Sequence, residues 1–237
     1  MRVLVEVDVG GNRCGVPGGA PVVELAARVA ASPHLRFGGL QAYHGRAQHL
    51  RRHEERRAAV GAAVEALQST LALLEARGLR AEVVTGAGTG TVEFEAASGV
   101  YTEVQPGSYI FMDADYGRNL DADGQPVHVF QQSLFVLTTV MSRVRPDRAV
   151  VDAGLKAHSV DSGMPLVADV KGATYTGASD EHGVVELHGP GALALGQKIR
   201  LIPGHCDPTV NLHDWLVCVR EGCVEALWPI TARGAGC

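Results

Sequence analysis

The sequence predicts an α/β region over residues 3–113, built on parallel strands, followed after Asp115 by a mostly antiparallel β region. Three observations predict this. Strand-like and helix-like runs alternate through the first half. The strand-like runs end in polar or glycine-rich turns, GGNRCG, YHGRAQH, GAGTGT and PGSY. Beyond Asp115 the helical spacing disappears, and β-rich runs are separated by turns such as DADG and EHG.

VLVEVDV (3–9) is a β-branched run that ends in a glycine-rich turn, which predicts a buried strand. From Pro21 to about Ala31, apolar residues fall at helical spacing, and Pro33 stops the helix. LRFGGLQAY (35–43) is a second strand. A long helix runs over 50–77, with Val60, Val64, Leu67, Leu71 and Leu74 on one stripe and Gly78 as its cap. RAEVVTG (80–86) and YTEVQPGSYIFMD (101–113) are the third and fourth strands. The later strands are VHVFQQSLFVLTTVMSRV, RAVVDAG, GVVELHG, QKIRLIPGH and WLVCVREGCVEALWPI. No internal repeat, low-complexity tract or long linker interrupts them. The predicted boundary places residues 1–114 in the first domain and 115–237 in the second.

Composition narrows the function. With 46% apolar residues and a net charge of −5, the chain is not a disordered one. Lys and Arg number 21 against 26 Asp and Glu, so charge gives no reason to expect nucleic acid. No apolar run approaches the ~18–20 residues of a membrane span. The opening MRVLVEVDVGG carries Glu6 and Asp8 and lacks a small-residue cleavage site, unlike a secretory signal. Five cysteines, an odd number with no CxxC pair, fit free thiols in a reducing, cytoplasmic setting. Cys218 and Cys223 read as half-buried strand residues, Cys237 as a free tail thiol. Only Cys206, between His205 and Asp207, has neighbours that suggest chemistry.

Polar turns at the C-terminal ends of parallel strands are where α/β folds bind ligands. GAGTGT (86–91) is either a tight turn or a phosphate cradle, in which backbone N–H groups and the Thr89 hydroxyl face the anion. PGSY (106–109) adds a second Gly-Ser turn one strand later. A dinucleotide loop is a poor reading, because the full GxGxxG is absent and no acidic residue ends a following strand at the right distance. Arg13 in GNRCG is either a solvated turn residue or a fork for an anionic oxygen. Tyr43, His44 and His49 stand at another strand mouth, where histidine suits proton transfer. His53 falls on the next helix and reads as a surface residue. His205-x-Asp207 in PGHCDPTVNLHDW puts an imidazole and a carboxylate on one side of an extended segment, a pairing suited to Zn²⁺ or Mn²⁺. His213-Asp214 follows as a possible supporting pair. Lys156 is more in keeping with an ion pair or an interface than with covalent chemistry.

Six segments, VEVDVGGNRCGV, QAYHGRAQH, VTGAGTGT, TEVQPGSYIFMDADY, VDAGLKAHSVDSG and PGHCDPTVNLHD, together resemble the D-threonine aldolase/D-serine dehydratase-like family. The resemblance runs from residue 3 to about 215. It implies a fold-type III pyridoxal-phosphate (PLP) enzyme with an alanine-racemase-like (β/α)₈ barrel and a C-terminal β domain, a homodimer with no nucleic acid or membrane partner. Arg13 would then contact the cofactor's phenolic oxygen, Tyr43 would line its pocket, and Thr89, Gly107 and Ser108 would hold its phosphate. His205 and Asp207 would bind a divalent metal, Mn²⁺ or Zn²⁺. His49 would take the proton from the 3-hydroxyl of a D-3-hydroxy amino acid. Family dehydratases carry Cys at the position of Asp207, which tilts the reading toward aldol cleavage, to glycine and an aldehyde, and away from dehydration.

Two departures stand beside this resemblance. A barrel takes about 200–250 residues, whereas the α/β region here has room for about its second half, strands 5–8. The family's Schiff-base lysine follows the first barrel strand in a His-x-Lys context, and the lysines here are only Lys156, Lys171 and Lys198. The sequence therefore also admits a truncated or non-catalytic remnant that retains its binding functions.

Overall fold

The computed structural model describes residues 1–189 and 193–234, so Cys237 lies outside the described residues. The chain divides into two compact units, Met1–Tyr109 with Arg118–Val129, and Ile110–Gly117 with Phe130–Cys237.

The first unit is a parallel sheet of β1 (Arg2–Asp8), β2 (Val16–Pro17), β3 (Arg36–Ala42), β4 (Val83–Gly86) and β5 (Glu103–Val104), in the order β2-β1-β3-β4-β5. Helices α1 (Ala20–Ala31) and α2 (His53–Ala76) supply the apolar residues for one face. Val5, Val7, Leu40, Ala42 and Val84 of the strands pack with Val22 and Ala26 of α1 and Ala63, Leu67 and Leu74 of α2. Strand alternation then turns Glu6, Asp8, Gln41 and Thr85 to the other face. There Gln105 Nε2 donates to Gln41 Oε1 at 2.7 Å and to Thr85 Oγ1 at 2.8 Å, a polar ladder across β3 and β4. Gly39, at φ +142°, has no alternative residue, since a Cβ there would sit 1.8 Å from the Val83 carbonyl oxygen.

α1 starts with Pro21 in its first turn and ends at Ser32, as the sequence predicts. α2 is shorter than the expected 50–77, because Arg52 is extended. Gly78 closes it in the left-handed region, and Leu79 N–H reaches back to the Leu74 carbonyl. By length and composition α2 passes as a membrane span, which no apolar run was expected to do. Its buried Ala63, Leu67 and Leu74 instead belong to this unit's core, and Val60 is buried beside them on the same stripe.

The fourth strand is a further correction. Of the expected 101–113, only Glu103–Val104 pairs with β4. Pro106 has no N–H to give a ladder, and the chain turns into a 3₁₀ turn, Ser108–Ile110, before Met112 at φ 54°. A six-residue helix that the sequence does not announce, α3 (Val92–Ala97), follows the GAGTGT turn.

In the second unit, β6 (Val136–Arg145), β7 (Arg148–Val151), β8 (Leu166–Ala168), β9 (Ala173–Ala178), β10 (Gly183–Leu187) and β11 (Lys198–Ile202) pair antiparallel in the order β8-β11-β6-β7-β10-β9. The edge strands β8 and β9 approach each other, so the sheet nearly closes around Val136, Val140, Val151, Tyr175, Val185, Ile199 and Leu201. The long strand expected from Val127 begins only at Val136. The residues before it spend their hydrogen bonds on the 110–112 turn instead: Ser133 N–H and Oγ–H donate to Phe111 and Ile110 carbonyls. The short helix α4 (Cys206–Val210) interrupts this mostly antiparallel β region, and β12 (Trp215–Arg220) and β13 (Cys223–Pro229) form a separate two-stranded sheet. Cys218 is half-buried in β12, but Cys223 in β13 is exposed.

Candidate functional site

The expected site residues divide between the units: Arg13, Tyr43, His49, Thr89, Gly107 and Ser108 in the first, His205 and Asp207 in the second. In the first unit they occupy the turns that follow β1, β3, β4 and β5. After β1, the Asp8 carboxylate accepts the Gly10 and Asn12 N–H groups at 3.0 Å each, which holds its pKa below the usual range and shapes the turn that presents Arg13. The exposed Arg13 guanidinium lies 5.6 Å from the centre of the Tyr43 ring. After β3, His44 packs against Gly10, where a Cβ would come within 2.7 Å of its ring. Burial lowers the pKa of His44 and outweighs the pull of Asp8, and its Nδ1 has no partner among the described residues. His49 ends the 3₁₀ turn Gly45–His49 with its side chain exposed. His53 is no simple surface residue: its ring meets Phe94 edge-on at 5.1 Å.

The two Gly-rich turns meet. Tyr109 N–H donates to Thr89 Oγ1 at 3.0 Å, which leaves the Thr89 hydroxyl proton free to donate elsewhere. Within GAGTGT, the Thr91 and Val92 amides bond to the Gly88 carbonyl, and the Gly90 amide donates to Gln48 Oε1 at 2.9 Å. The Gly88 and Thr89 amides have no acceptor among the described residues. A Cβ on Gly88 would sit 2.6 Å from Gln48 Oε1 and 3.1 Å from Tyr43 Oη, and one on Gly107 would meet open space. Ser108 is buried at the start of its 3₁₀ turn. The result is two unpaired amides, a threonine hydroxyl and a glycine without obstruction, side by side: the donor set of an anion cradle.

In the second unit, His205 is extended at φ −142°, ψ 125°, but the chain coils into α4 at Cys206 and does not run on straight. The buried Asp113 carboxylate causes this turn, since Oδ2 accepts Cys206 N–H at 2.9 Å while Oδ1 accepts Tyr116 N–H at 2.9 Å. The helical turn leaves His205 Nε2 3.8 Å from Asp207 Oδ2 and buries Cys206 between them. On the other side of the ring, Nδ1 lies 2.8 Å from Asp161 Oδ2. Asp207 and Asp161 together hold the His205 imidazolium up to about 9, and Asp161, hydrogen-bonded by Ser159, His205 and Ser162, drops to about 2. His213 bonds through Nε2 to the Ala157 carbonyl at 2.8 Å, away from this pair. Lys156 pairs with Glu181 at 2.8 Å, as an ordinary ion pair.

Comparison with known proteins shows what the chain is similar to. The family description "Alanine racemase, N-terminal domain" matches residues 1–115, and "Putative serine dehydratase domain" matches residues 133–219. A 3-hydroxy-D-aspartate aldolase of Paracoccus denitrificans (strain Pd 1222) is 52% identical over 238 residues, covering 100% of this chain and 61% of the relative. A D-threonine aldolase of an Arthrobacter species is 53% identical over 236 residues, covering 99% and 61%. The crystal structure of D-threonine aldolase from Filomicrobium marinum superposes with a TM-score of 0.94 at 48% identity, over 99% of this chain and 64% of that one. The chain resembles the D-threonine aldolase/D-serine dehydratase-like family. Its fold is the alanine-racemase-like one. The chain spans 61% of the length of the curated relatives it matches.

The resemblance implies PLP, and the residues fit one part of it. The two turns suit its phosphate. The α/β unit supplies no covalent anchor, because residues 1–155 contain no lysine. For a divalent ion, ligands about 2.1 Å away can stand up to about 4.2 Å apart, so His205 Nε2 and Asp207 Oδ2 at 3.8 Å fit as two ligands. Asp161 on Nδ1 is the type of partner that orients a ligating imidazole. Among the described residues no group of three His, Cys, Asp or Glu side chains converges on one point. Two residues here carry no sequence signal of their own. Gln48 sits unremarked inside YHGRAQH, and Glu95 is one more acid in VEFEAA, yet both are fully buried behind the cradle.

Proposed function

We propose that these 237 residues carry the cofactor-phosphate and metal-binding parts of a PLP- and divalent-metal-dependent lyase that acts on D-3-hydroxy amino acids. The reaction is of the D-threonine aldolase kind: retro-aldol cleavage to glycine and an aldehyde. The observation that carries the reading is the joined pair of turns, with Thr89 bridging to Tyr109 and the Gly88 and Thr89 amides without an acceptor among the described residues. We read residues 1–114 as the partial PLP-binding barrel and 115–237 as the β domain with the metal ligands. A homodimer in a cytoplasmic, reducing compartment goes with this reading. The exposed Trp215, Val217, Val219, Val224 and Leu227 on β12–β13 support the first, and four free cysteines among the described residues support the second.

When bound, PLP supplies an electron sink for the carbanion left by bond cleavage. The chain's own residues do the rest. The Gly88 and Thr89 amides and the hydroxyls of Thr89 and Ser108 hold phosphate oxygens, and Gly107 leaves room for them. Arg13, braced over Tyr43, offers two parallel N–H donors to an anionic oxygen. His49, exposed on its 3₁₀ turn, accepts a proton from the substrate hydroxyl at a ring nitrogen. His205 and Asp207 hold the divalent ion, with the imidazole turned by Asp161. Asp207 in place of a thiolate favours a harder ion such as Mn²⁺. The close relatives named as aldolases support cleavage over dehydration.

Two measurements test this. The chain is titrated with 4′-deoxypyridoxine 5′-phosphate, which has the phosphate and ring but no aldehyde and so tests the cradle without a lysine. Saturable binding that Arg13→Ala and Thr89→Val weaken is expected, and no binding overturns the proposal. Incubation with D-threonine, PLP and Mn²⁺ then sorts the chemistry. Glycine with acetaldehyde identifies the aldolase, and 2-oxobutanoate the dehydratase. Retained cradle binding with neither product, and no borohydride-reducible lysine adduct, is the result the missing lysine favours: this stretch binds but does not turn over by itself.

A further inference from the structure

Behind the cradle runs a chain of hydrogen bonds that ends on a buried acid. Gly90 N–H donates to Gln48 Oε1 at 2.9 Å, Gln48 Nε2–H to Thr91 Oγ1 at 2.7 Å, and Thr91 Oγ1–H to Glu95 Oε1 at 2.8 Å. Every proton in it points toward Glu95. The orientation is forced. A backbone N–H needs an acceptor, so the Gln48 oxygen must face Gly90 and its amide nitrogen must face Thr91. A hydroxyl that accepts from Gln48 has one proton left, and Glu95 takes it. Gln48 is also fixed from its main chain, whose carbonyl accepts Asn119 Nδ2–H at 2.9 Å, and its side chain reaches the His44 carbonyl at 3.3 Å.

Glu95 is not there to pair with a cation. It is 1% exposed, and its second oxygen has no partner among the described residues. The nearby Tyr101 hydroxyl donates to the Ala42 carbonyl at 3.1 Å and so does not serve it. A buried carboxyl with an unmatched oxygen is costly to keep. What it gives in return is the terminal acceptor without which Thr91 could not take the Gln48 proton.

We infer that Glu95 is a positioning residue of the phosphate cradle: through Thr91 and Gln48 it ties the Gly90 amide back, so that the Gly88 and Thr89 amides alone face the anion. The inference rests on the proposed phosphate-binding role of the 86–91 turn. Remove the acceptor and the Thr91 hydroxyl turns to a backbone carbonyl, Gln48 loses its donor target, and Gly90 N–H is released. The turn then presents its amides in several arrangements instead of one. Glutamine at position 95 keeps an oxygen for Thr91 and therefore keeps the tie.

The test follows the Gly90 amide by ¹H–¹⁵N NMR and hydrogen exchange in the 237-residue chain, beside titration with 4′-deoxypyridoxine 5′-phosphate. In Glu95→Ala, Gly90 is expected to lose its exchange protection and the probe to bind about tenfold more weakly, the worth of one such hydrogen bond. Glu95→Gln is expected to restore both, a rescue that a cavity left by a merely space-filling side chain would not single out. Thr91→Val cuts the same chain at its middle while leaving Glu95 in place, and is read in the same way if Glu95→Ala does not fold. A Gly90 amide that is unmoved in both variants overturns the role of Glu95. A wild-type chain that does not bind the probe overturns the phosphate reading itself, and the two failures are thereby told apart.

Discussion

Replacing Gly90 by alanine is the sharpest perturbation of the cradle. The added Cβ would lie 2.3 Å from the Gln48 carbonyl oxygen and 3.0 Å from the Gln48 carbonyl carbon and Cα. An unstrained carbon–oxygen contact begins near about 3.3 Å, so the two backbones must part by roughly 1 Å. The struck oxygen is the one that accepts Asn119 Nδ2–H, and the amide on Gly90 is the one that Gln48 Oε1 holds. Overpacking of this kind costs about 1–3 kcal/mol, and each buried hydrogen bond loosened adds about 1 kcal/mol. The sum, about 3–5 kcal/mol, is a large part of a typical folding free energy. Far-UV circular dichroism during urea unfolding reads the loss, and titration with 4′-deoxypyridoxine 5′-phosphate reads the displaced Gly88 and Thr89 amides, with at least tenfold weaker binding expected. Gly107→Ala is the control, because its Cβ meets nothing within 4 Å in the unliganded turn. It should leave stability within about 0.5 kcal/mol. If Gly90→Ala unfolds at the wild-type urea concentration and binds the probe equally well, the close approach of the two backbones and the cradle built on it are both wrong.

Three further outcomes are expected. Burial raises the Glu95 pKa from 4.5 to about 7, so the folded state keeps a proton that the unfolded chain gives up; stability from this group therefore falls as pH rises from 4.5 to about 7, by at most about 3 kcal/mol. Urea midpoints at pH 5, 6 and 7.5 should converge on a flatter line in Glu95→Gln, and identical slopes in the two proteins would refute it. Asp113→Ala removes the acceptors of both Cys206 N–H and Tyr116 N–H and should cost about 2–4 kcal/mol. It should also weaken Mn²⁺ binding in calorimetry; unchanged metal affinity would detach Asp113 from the His205 turn. In metal-free protein, the folded His205 titrates near 9 because Asp207 and Asp161 favour its charged form, so its contribution to stability is complete below 6.5 and is lost as pH rises toward 9. NMR titration of the His205 ring in Asp161→Asn should give a lower midpoint, and an unshifted one would rule out the Asp161 contact.

The α/β order was legible because burial enforces periodicity: Val5 and Val7 alternate with Glu6 and Asp8, and the stripe on α2 recurs at helical spacing. The same logic failed where backbone hydrogen bonds, not side-chain burial, decide the path. The run 101–113 is as apolar as a strand, but Pro106 and the 3₁₀ turn end its pairing after Val104. His205-x-Asp207 looked extended, and a carboxylate ninety-three residues away in sequence, Asp113, bends it into α4 while keeping the pair within 3.8 Å. The anion cradle was visible as two glycine-rich turns. Its support was not, since nothing in one glutamine and one glutamate says that they meet through Thr91. Only the spacing of Gly88 and Gly90, both too close to Gln48 for a side chain, hints that something large lies against that turn.

The two-stranded ribbon β12–β13 turns through Glu221 and Gly222, both at positive φ, the geometry of a tight primed hairpin. It also holds both tryptophans of the chain, Trp215 and Trp228. Tryptophan emission from this protein is therefore a local gauge, recording the ribbon and whatever comes to cover it. An unfolding curve drawn from that emission would describe a few strands' worth of chain, and its disagreement with a curve from backbone dichroism would reflect where the chromophores stand rather than an accumulated intermediate.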